Sequence, residues 1–252
     1  MQLSIVMPVY NEAAVIAGVL EELDRDIASR QPEVEIVLVN DGSTDATREI
    51  LDRLAAVDSR LVVHHAAANR GHGPTLRRAL EASTGDWIFQ IDSDGQQVAA
   101  EFWELWARRK EADLVMGVRT PRRGGLHRRM VSAGARGVIR ALAGGELRDV
   151  NVPFKLIRRD VWNDLEHAIP PAPVAPSLLL ALGAALRGWR VIQVPISHKA
   201  REHAPSTVDL RALVRLSAGA LREVVVFRRR LTRRAARPAR SVERSAPEAS
   251  EP

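Results

Sequence analysis

The sequence predicts an α/β fold in which a mostly parallel central sheet is flanked by helices. Short runs of β-branched and aliphatic residues alternate with amphipathic stretches through the first half of the chain. That alternation is typical of βαβ units, whose parallel strands are joined by right-handed crossovers. The chain has 252 residues, of which 46% are hydrophobic, and this suffices for one well-packed core.

Seven short apolar runs, rich in valine, isoleucine and leucine, are predicted to be strands. In chain order they are Leu3–Met7, Val34–Val39, Leu61–His65, Trp87–Ile91, Leu114–Gly117, Val152–Ile157 and Val191–Ile196. Ligands of such sheets bind beyond the carboxyl ends of the strands, so polar residues that follow these runs are the candidates for function.

The segments between the strands carry apolar residues at helical spacing. The predicted helices are Glu12–Ser29, Asp45–Val57, Pro74–Ser83, Glu101–Glu111, Leu178–Arg187 and Val208–Leu231. Residues 119–149 are rich in arginine and glycine, and we expect loops and helices over the site there.

We expect a single domain over residues 1–231 that ends in an amphipathic basic helix at about residues 208–231. Residues 232–252 consist mainly of Arg, Ala, Pro, Ser and Glu and have no apolar period. They are therefore predicted to be a disordered tail.

Composition restricts the environment and the partners. The chain has no cysteine, which excludes disulfides and thiolate metal sites and fits a reducing compartment. We find no signal peptide and no apolar run near the ~20 residues that span a bilayer, so we expect a cytoplasmic protein, free or on a membrane surface. The net charge of +6 favours anionic partners. An aromatic content of 4% is too low for a base-stacking platform, so nucleic acid is not the expected partner.

The segment Asp92-Ser93-Asp94-Gly95-Gln96 follows the predicted strand Trp87–Ile91 and is the most informative of the polar clusters. Two carboxylates this close resist joint ionisation unless a cation lies between them. Oxygen ligands suit Mg²⁺ or Mn²⁺, which share their coordination shell with substrate phosphates. The alternative is a solvated turn, because Asp, Ser and Gly are common turn residues.

Three further clusters follow or precede predicted elements. Tyr10 and Glu12 place an aromatic ring beside a carboxylate, which suits a nucleobase. Asp41 ends the second strand, where a carboxylate can bind a nucleoside, although the same stretch is also ordinary strand-to-helix chemistry. The Asn69–Gly73 stretch is a glycine-bearing loop that lets backbone amides approach phosphates. We interpret His72 as a loop residue, because no second His or Cys stands at ligand spacing.

The clusters at residues 8–12, 39–45, 69–71 and 92–96, in this order, resemble family 2 glycosyltransferases of the GT-A fold. The similarity is greatest to the dolichol-phosphate mannosyltransferase, or polyprenyl-phosphate glycosyltransferase, branch. The second half of the chain carries matching pieces in the expected order. They are Gly117-Val118-Arg119, Arg129 with Ser132, Asp149 before Phe154-Lys155, and Arg201 with Ser206. The resemblance covers about residues 1–215.

The resemblance implies a role for each matching residue. The nucleoside and donor pocket would be lined by Pro8, Tyr10, Glu12, Val39, Asp41, Asp92 and Ser93. The divalent cation would be held by Asp92, Asp94 and Gln96. The phosphates would be faced by Arg119, Arg129 and Arg201, which with Asp94 form the expected catalytic set. Two positions depart from the family pattern: Ala204 replaces a usual glycine, and Ser177 lies where relatives often carry an acidic residue.

The implied activity is metal-dependent, inverting transfer of a mannose- or glucose-type sugar from a GDP- or UDP-sugar to a polyprenyl or dolichyl phosphate. Such an acceptor is already anionic at neutral pH, so no general base is required. The Val208–Leu231 helix would contact the cytoplasmic face of the membrane or, alternatively, be a terminal core helix. Two other functions stay open. One is transfer to a sugar hydroxyl, which needs a carboxylate base; the other is a basic, non-enzymatic module that binds nucleic acid or membranes.

Overall fold

The computed structural model describes residues 2–119, 147–199 and 210–233. Within these residues, seven strands form one sheet. They are β1 (Leu3–Val9), β2 (Val34–Asn40), β3 (Leu61–His65), β4 (Trp87–Ile91), β5 (Leu114–Arg119), β6 (Phe154–Arg158) and β7 (Val191–Ile196). Each lies where the sequence predicts a strand. The β1 and β5 strands continue for two residues beyond the predicted ends, which brings them up to the polar clusters.

The strand order is β3-β2-β1-β4-β6-β5-β7. All neighbours are parallel except β6, which runs antiparallel to both β4 and β5. The predicted mostly parallel sheet is therefore confirmed. Because β6 is reversed, its first residue, Phe154, pairs with Ile91 at the end of β4. The residues just before β6 therefore reach the edge of the sheet at which Asp92 follows β4.

The central strands are apolar on both faces because helices cover both faces of the sheet. Every residue of β1 and β4 is buried. The edge strand β3 is half-buried along its whole length. Phe89 of β4 makes edge-on ring contacts with Phe102 at 4.9 Å and with Phe154 at 4.8 Å. These contacts fix β4 beneath the Asp92 segment.

In the described part of the chain, the α-helices are α1 (Ile16–Asp26), α2 (Thr47–Ala55), α3 (His72–Ala82), α4 (Phe102–Ala107), α5 (Arg159–Leu165), α6 (Pro176–Leu186) and α7 (Leu210–Arg233). Six of them match predicted helices, with shifted ends. The sequence analysis missed α5, which directly follows β6 and is too short to show a clear helical period. The first helix starts four residues later than predicted, because the preceding residues are bound into a loop with the start of α2.

The last two helices pack together. The α6 helix is apolar around most of its circumference and buried over nearly its whole length. Phe227 of α7 comes so close to Gly183 of α6 that an added Cβ would lie 2.8 Å from its ring. Among the described residues, no helix is both long and apolar enough to cross a bilayer. The predicted tail lies outside the described residues from 234 onward, and Thr232 and Arg233 belong to α7.

Candidate functional site

Two adjoining cavities lie at the carboxyl edge of the parallel strands. The first, here called the Tyr10 cavity, has a volume of about 240 Å³ and is lined by residues following β1, β2 and β4 and by the start of α3. The second, the Ser177 cavity, has a volume of about 220 Å³ and extends toward β5, β6 and α6. Both cavities are lined by His72, Asp92 and Asp94. The segment after β4 is therefore their common wall.

The common wall is a tight turn. Gly95 adopts a positive φ of 69°, and the Gln96 N–H donates to Asp94 Oδ1 at 3.0 Å. Gln96 lines the Ser177 cavity with both carboxylates. The sequence-predicted metal residues thus surround one space, with hard oxygen donors that suit Mg²⁺ or Mn²⁺. Among the described residues, no three His, Cys, Asp or Glu side chains form a metal site by themselves.

His72 is closer to the site than the sequence analysis expected. It is the first residue of α3, and its Nε2 lies 3.2 Å from Asp92 Oδ1. Burial lowers the pKa of His72, but the hydrogen bond and the negative fields of Asp92, Asp41 and Asp94 outweigh burial and raise it. Its interpretation as a loop residue is wrong, because the helix begins two residues before Pro74.

Asp41 organises the glycine-bearing loop. It is buried, and its two carboxylate oxygens accept the N–H groups of Arg70 at 2.9 Å and Gly71 at 2.8 Å. Gly71 has a φ of 93° and Gly42 a φ of 65°, and a Cβ added to Gly42 would lie 2.6 Å from the backbone of Ala68. The carboxylate therefore shapes one side of the Tyr10 cavity through the backbone of a second loop.

The loop that carries Tyr10 is bound to the start of α2. The Asn11 N–H donates to Ser43 Oγ at 2.9 Å, and the Thr44 N–H donates to Asn11 Oδ1 at 2.8 Å. Asn11 adopts a φ of 52°, a left-handed conformation that asparagine tolerates better than most residues. Asp45, two residues before the first residue of α2, accepts the Thr47 N–H and hydroxyl. Tyr10 is thereby held at the cavity mouth, with 42% of its surface exposed.

Arg119 reaches the Ser177 cavity from the end of β5. Its guanidinium forms a two-point ion pair with Asp149, with distances of 2.7 Å and 2.9 Å, and its N–H donates to the same carboxylate. The contact with Asp149 raises the pKa of Arg119. Burial alone would raise the pKa of Asp149, but the hydrogen bond and charge of Arg119 outweigh burial, so the pKa of Asp149 is lowered. The pairing fixes the arginine at the cavity wall.

A buried lysine lies behind this ion pair. Lys155 of β6 is fully buried, and its Nζ donates to the carbonyl oxygen of Val152. Burial lowers the pKa of Lys155 to about 7, although Asp149 and Asp92 favour its charged form. The sequence analysis named Lys155 as part of a motif but did not predict its burial.

The floor of the Ser177 cavity contains a hydrogen bond that the sequence analysis missed. Gln90, in the middle of β4, donates its amide to Ser177 Oγ at 2.5 Å. Gln97, also buried, lines the same cavity, and its Oε1 has no hydrogen-bond partner within the described structure. A glutamine inside an apolar strand was the available signal, because a buried amide needs a partner.

The remaining predicted residues fall in three groups. The Tyr10 cavity is lined by Pro8, Tyr10, Glu12, Asp41 and Ser93, together with both aspartates of the turn. Val39 differs: it lies in a strand that is covered on both faces, and its side chain is buried in the hydrophobic core rather than along the cavity. Arg129 and Arg201, with Ser132, Ala204 and Ser206, lie outside the described residues.

Comparison with known proteins identifies the family. Residues 4–165 match the model of "Glycosyl transferase family 2", which covers more than half of the chain. The chain belongs to glycosyl transferase family 2. The matched region includes β1 to β6, both aspartates of the turn and Arg119. The family predicted from the sequence is thus confirmed, and a non-enzymatic basic module is disfavoured.

This family 2 chain is similar in sequence to two curated glycosyltransferases. It is 29% identical to glycosyltransferase AglD of Haloferax volcanii over 248 residues, which cover 92% of this chain and 39% of AglD. It is 28% identical to the undecaprenyl-phosphate 4-deoxy-4-formamido-L-arabinose transferase of Edwardsiella ictaluri over 215 residues, covering 84% of this chain and 65% of that protein. The chain therefore spans less than two thirds of the length of each of these relatives.

Solved structures confirm the GT-A fold. The glucosyl-3-phosphoglycerate synthase of Mycobacterium tuberculosis, in complex with Mn²⁺, UDP and phosphoglyceric acid, superposes with a TM-score of 0.65 at 21% identity, covering 90% of this chain and 78% of that one. The mannosyl-3-phosphoglycerate synthase of Rubrobacter xylanophilus gives a TM-score of 0.64 at 21% identity and covers 95% of this chain and 78% of that one.

Proposed function

We propose that this family 2 protein is a metal-dependent inverting glycosyltransferase that moves a hexose from a nucleotide sugar to a polyprenyl phosphate. The observation that carries the proposal is the shared wall of Asp92 and Asp94 between the two cavities. A donor whose diphosphate lies at this wall has its nucleoside in the Tyr10 cavity and its sugar directed into the Ser177 cavity. The two ends of the donor are thus separated by the residues that would hold its charge.

The Tyr10 cavity suits a nucleoside. Tyr10 lines this cavity and is 42% exposed, so its ring is available for a base to stack on. Asp41 keeps lone pairs available after its two backbone contacts, since a carboxylate has about four acceptor sites. Both uracil and guanine are compatible with this set. The M. tuberculosis structure with UDP and Mn²⁺ favours uracil as the first base to test.

Asp92, Asp94 and Gln96 fit a divalent cation, because all three line the same cavity and carry side-chain oxygen donors. Mg²⁺ and Mn²⁺ are normally bound by one or two carboxylates together with substrate phosphates, so a larger protein cluster is not needed. When bound, the cation neutralises the charge that develops on the departing diphosphate. Arg119 adds a second positive charge at the wall of the cavity.

The lining of the Ser177 cavity favours a phosphate acceptor. Among its described lining residues, the only carboxylates are Asp92 and Asp94, which belong to the cation site. No other carboxylate among these described lining residues is left to take a proton from a hydroxyl acceptor. A phosphate monoester has a second pKa near 6 and needs no base. Its oxygen attacks the anomeric carbon as the bond to the diphosphate breaks, the diphosphate leaves with the electron pair, and the sugar configuration inverts.

The acceptor class is tested by a transfer assay with the purified chain, Mn²⁺ and UDP- or GDP-linked glucose or mannose. Three acceptors are offered: farnesyl phosphate, 3-phosphoglycerate and farnesol. The proposal expects a sugar phosphodiester from farnesyl phosphate, with inversion seen by NMR of the anomeric proton. Product from 3-phosphoglycerate or farnesol alone would contradict it, and the undecaprenyl-phosphate transferase of E. ictaluri supports the first outcome.

The outer face of α7 supports a contact with an anionic membrane. Val224, Phe227 and Leu231 are buried against the core, whereas Leu221 and Val225 are exposed. Among the α7 side chains that the structure describes, the exposed arginines are Arg222, Arg228, Arg229 and Arg230. An apolar stripe flanked by cations suits the interface of a bilayer, and anionic lipids of the cytoplasmic leaflet would attract the arginines.

The membrane contact is tested by sedimentation with vesicles that contain phosphatidylglycerol or only phosphatidylcholine. The double variant Leu221→Ser with Val225→Ser should lose binding to the anionic vesicles. Val57→Ser is the matched control, because Val57 is 84% exposed and lies outside α7. Equal sedimentation of both variants would contradict a membrane role for α7.

A further inference from the structure

Glu223 of α7 contacts the main chain that forms one wall of the Ser177 cavity. Its Oε1 accepts the N–H of Val174 at 2.8 Å, and its Oε2 accepts the N–H of Ala175 at 3.1 Å. Val174, Ala175, Pro176 and Ser177 all line the Ser177 cavity. A side chain of the last helix thus holds a wall of the site directly, although it lines neither cavity itself.

The same wall is packed against α3 on its other side. A Cβ added to Gly73 would lie 1.6 Å from the carbonyl oxygen of Pro173. Gly73 directly follows His72, which contacts Asp92. Residues 173–177, here called the clamped wall, therefore lie between α7 and α3. The α3 helix carries His72, which contacts Asp92 of the predicted cation site. Ser177, at its end, is fixed by Gln90.

The chemistry of the contact requires a carboxylate. Both N–H groups come just before α6, an 11-residue helix whose amino end favours negative charge. A carboxylate accepts both bonds at once, and charge-assisted bonds are stronger than neutral ones. A glutamine has one acceptor oxygen, and its NH₂ group would face the second N–H.

We propose that Glu223 is a positioning residue for the acceptor side of the site. It holds the clamped wall opposite Arg119 and the Asp92 turn, so that the acceptor meets the sugar in the correct place. This inference rests on the proposed function, in which the Ser177 cavity receives the acceptor. Leu221 and Val225, two residues before and after Glu223, are among the exposed apolar residues described in α7. The proposed membrane contact and the clamp therefore share one stretch of helix.

Steady-state kinetics of Glu223→Gln provide the first test, with Glu104→Gln as the matched control. Glu104 is an exposed helix carboxylate outside both cavities. In Glu223→Gln we expect the KM for farnesyl phosphate to rise about tenfold, the size of one lost charge-assisted bond. Nucleotide affinity should stay unchanged, because no residue of the clamped wall lines the Tyr10 cavity. An unchanged KM, or an equal loss of nucleotide affinity, would overturn the inference.

Amide hydrogen exchange gives a readout that does not depend on the acceptor. The peptide that contains residues 173–177 should exchange faster in Glu223→Gln than in Glu104→Gln. If wild-type protein transfers no sugar to farnesyl phosphate but this difference is present, the proposed function fails while the clamp itself stands. If the exchange rates are equal, the inference is wrong whatever the acceptor.

Discussion

The two cavities on either side of the Asp92 turn are built in different ways. The Tyr10 cavity is formed by loops that follow neighbouring parallel strands. These loops bind each other through hydrogen bonds between side chains and backbone N–H groups, as Ser43 does with Asn11 and Asp41 does with Gly71. The Ser177 cavity gathers residues from the end of β5, the approach to β6, the start of α6 and the end of β7. Charged groups hold it together, chiefly the Arg119–Asp149 pair and Glu223.

The difference in construction indicates a difference in behaviour. Parallel neighbouring strands bring their polar ends together without further help, so the Tyr10 side is organised before a ligand arrives. The Ser177 side depends on ion pairs and on a buried lysine, whose contributions vary with charge and pH. Substitutions on the Ser177 side should therefore change transfer, and those on the Tyr10 side should change nucleotide affinity.

The largest effect is expected where the two sides meet. Asp92→Asn removes one carboxylate from the wall shared by both cavities and takes the charge partner from His72. We expect transfer to fall by about 1,000-fold, the upper range for losing one electrostatic contact to a transition state. The measurement is kcat/KM at saturating Mn²⁺. The matched control is Asp160→Asn, because Asp160 is an exposed carboxylate on α5, and this variant should retain activity. Near-normal activity of Asp92→Asn would show that the Asp92 turn takes no part in the reaction.

Arg119→Ala tests whether the Ser177 side can be disabled alone. Arg119 lines that cavity but not the Tyr10 cavity. We expect kcat/KM for transfer to fall by about 100-fold, with nucleotide affinity retained in calorimetry. Arg48→Ala, at an exposed arginine of α2, controls for loss of positive charge. A parallel loss of nucleotide affinity would show that the two cavities do not work separately.

The Tyr10 side and the Ser177 side also differ in how well the sequence predicted them. The strands and the Asp92 turn were predictable because each is a local pattern, an apolar run followed by polar turn residues. The Tyr10 side follows from these patterns, since parallel strands bring their carboxyl ends to one edge. Val39 is the exception, because local pattern does not tell which residues of a doubly covered strand reach a ligand.

The Ser177 side was predicted only in part because its contacts join distant segments. Nothing local indicates that β6 inserts antiparallel between β4 and β5, and this insertion is what buries Lys155 opposite Gln90. The contact of Glu223 with Val174 likewise joins residues 49 positions apart. Arg119 was predicted through the family resemblance, whereas its pairing with Asp149 needed the structure.

Lys155→Met tests the buried charge of the Ser177 side. Burial lowers the pKa of Lys155 to about 7 in the folded protein, below its ordinary value of 10.5. Between these values the unfolded chain binds more protons than the native one, so stability rises with pH. From pH 7 to pH 9, wild type should gain about 2 kcal/mol relative to Lys155→Met in urea unfolding. Lys110→Met, at an exposed lysine, should show no such gain, and parallel pH curves for wild type and Lys155→Met would refute the buried-charge account.

Tyr10→Ala gives the smallest expected effect and tests the Tyr10 side by itself. Loss of the stacking face should weaken UDP or GDP binding about tenfold, because base–aromatic stacking contributes roughly 1–3 kcal/mol. Tyr10→Phe keeps the ring and should bind normally in calorimetry. Since the loop is held by Asn11 and Ser43 rather than by the ring, the melting temperature should not change in either variant. Tenfold weaker binding in Tyr10→Phe would instead show that the nucleotide contacts the tyrosine hydroxyl. If UDP and GDP lose affinity to different degrees in Tyr10→Ala, the one that loses more is the nucleotide whose base stacks on the ring.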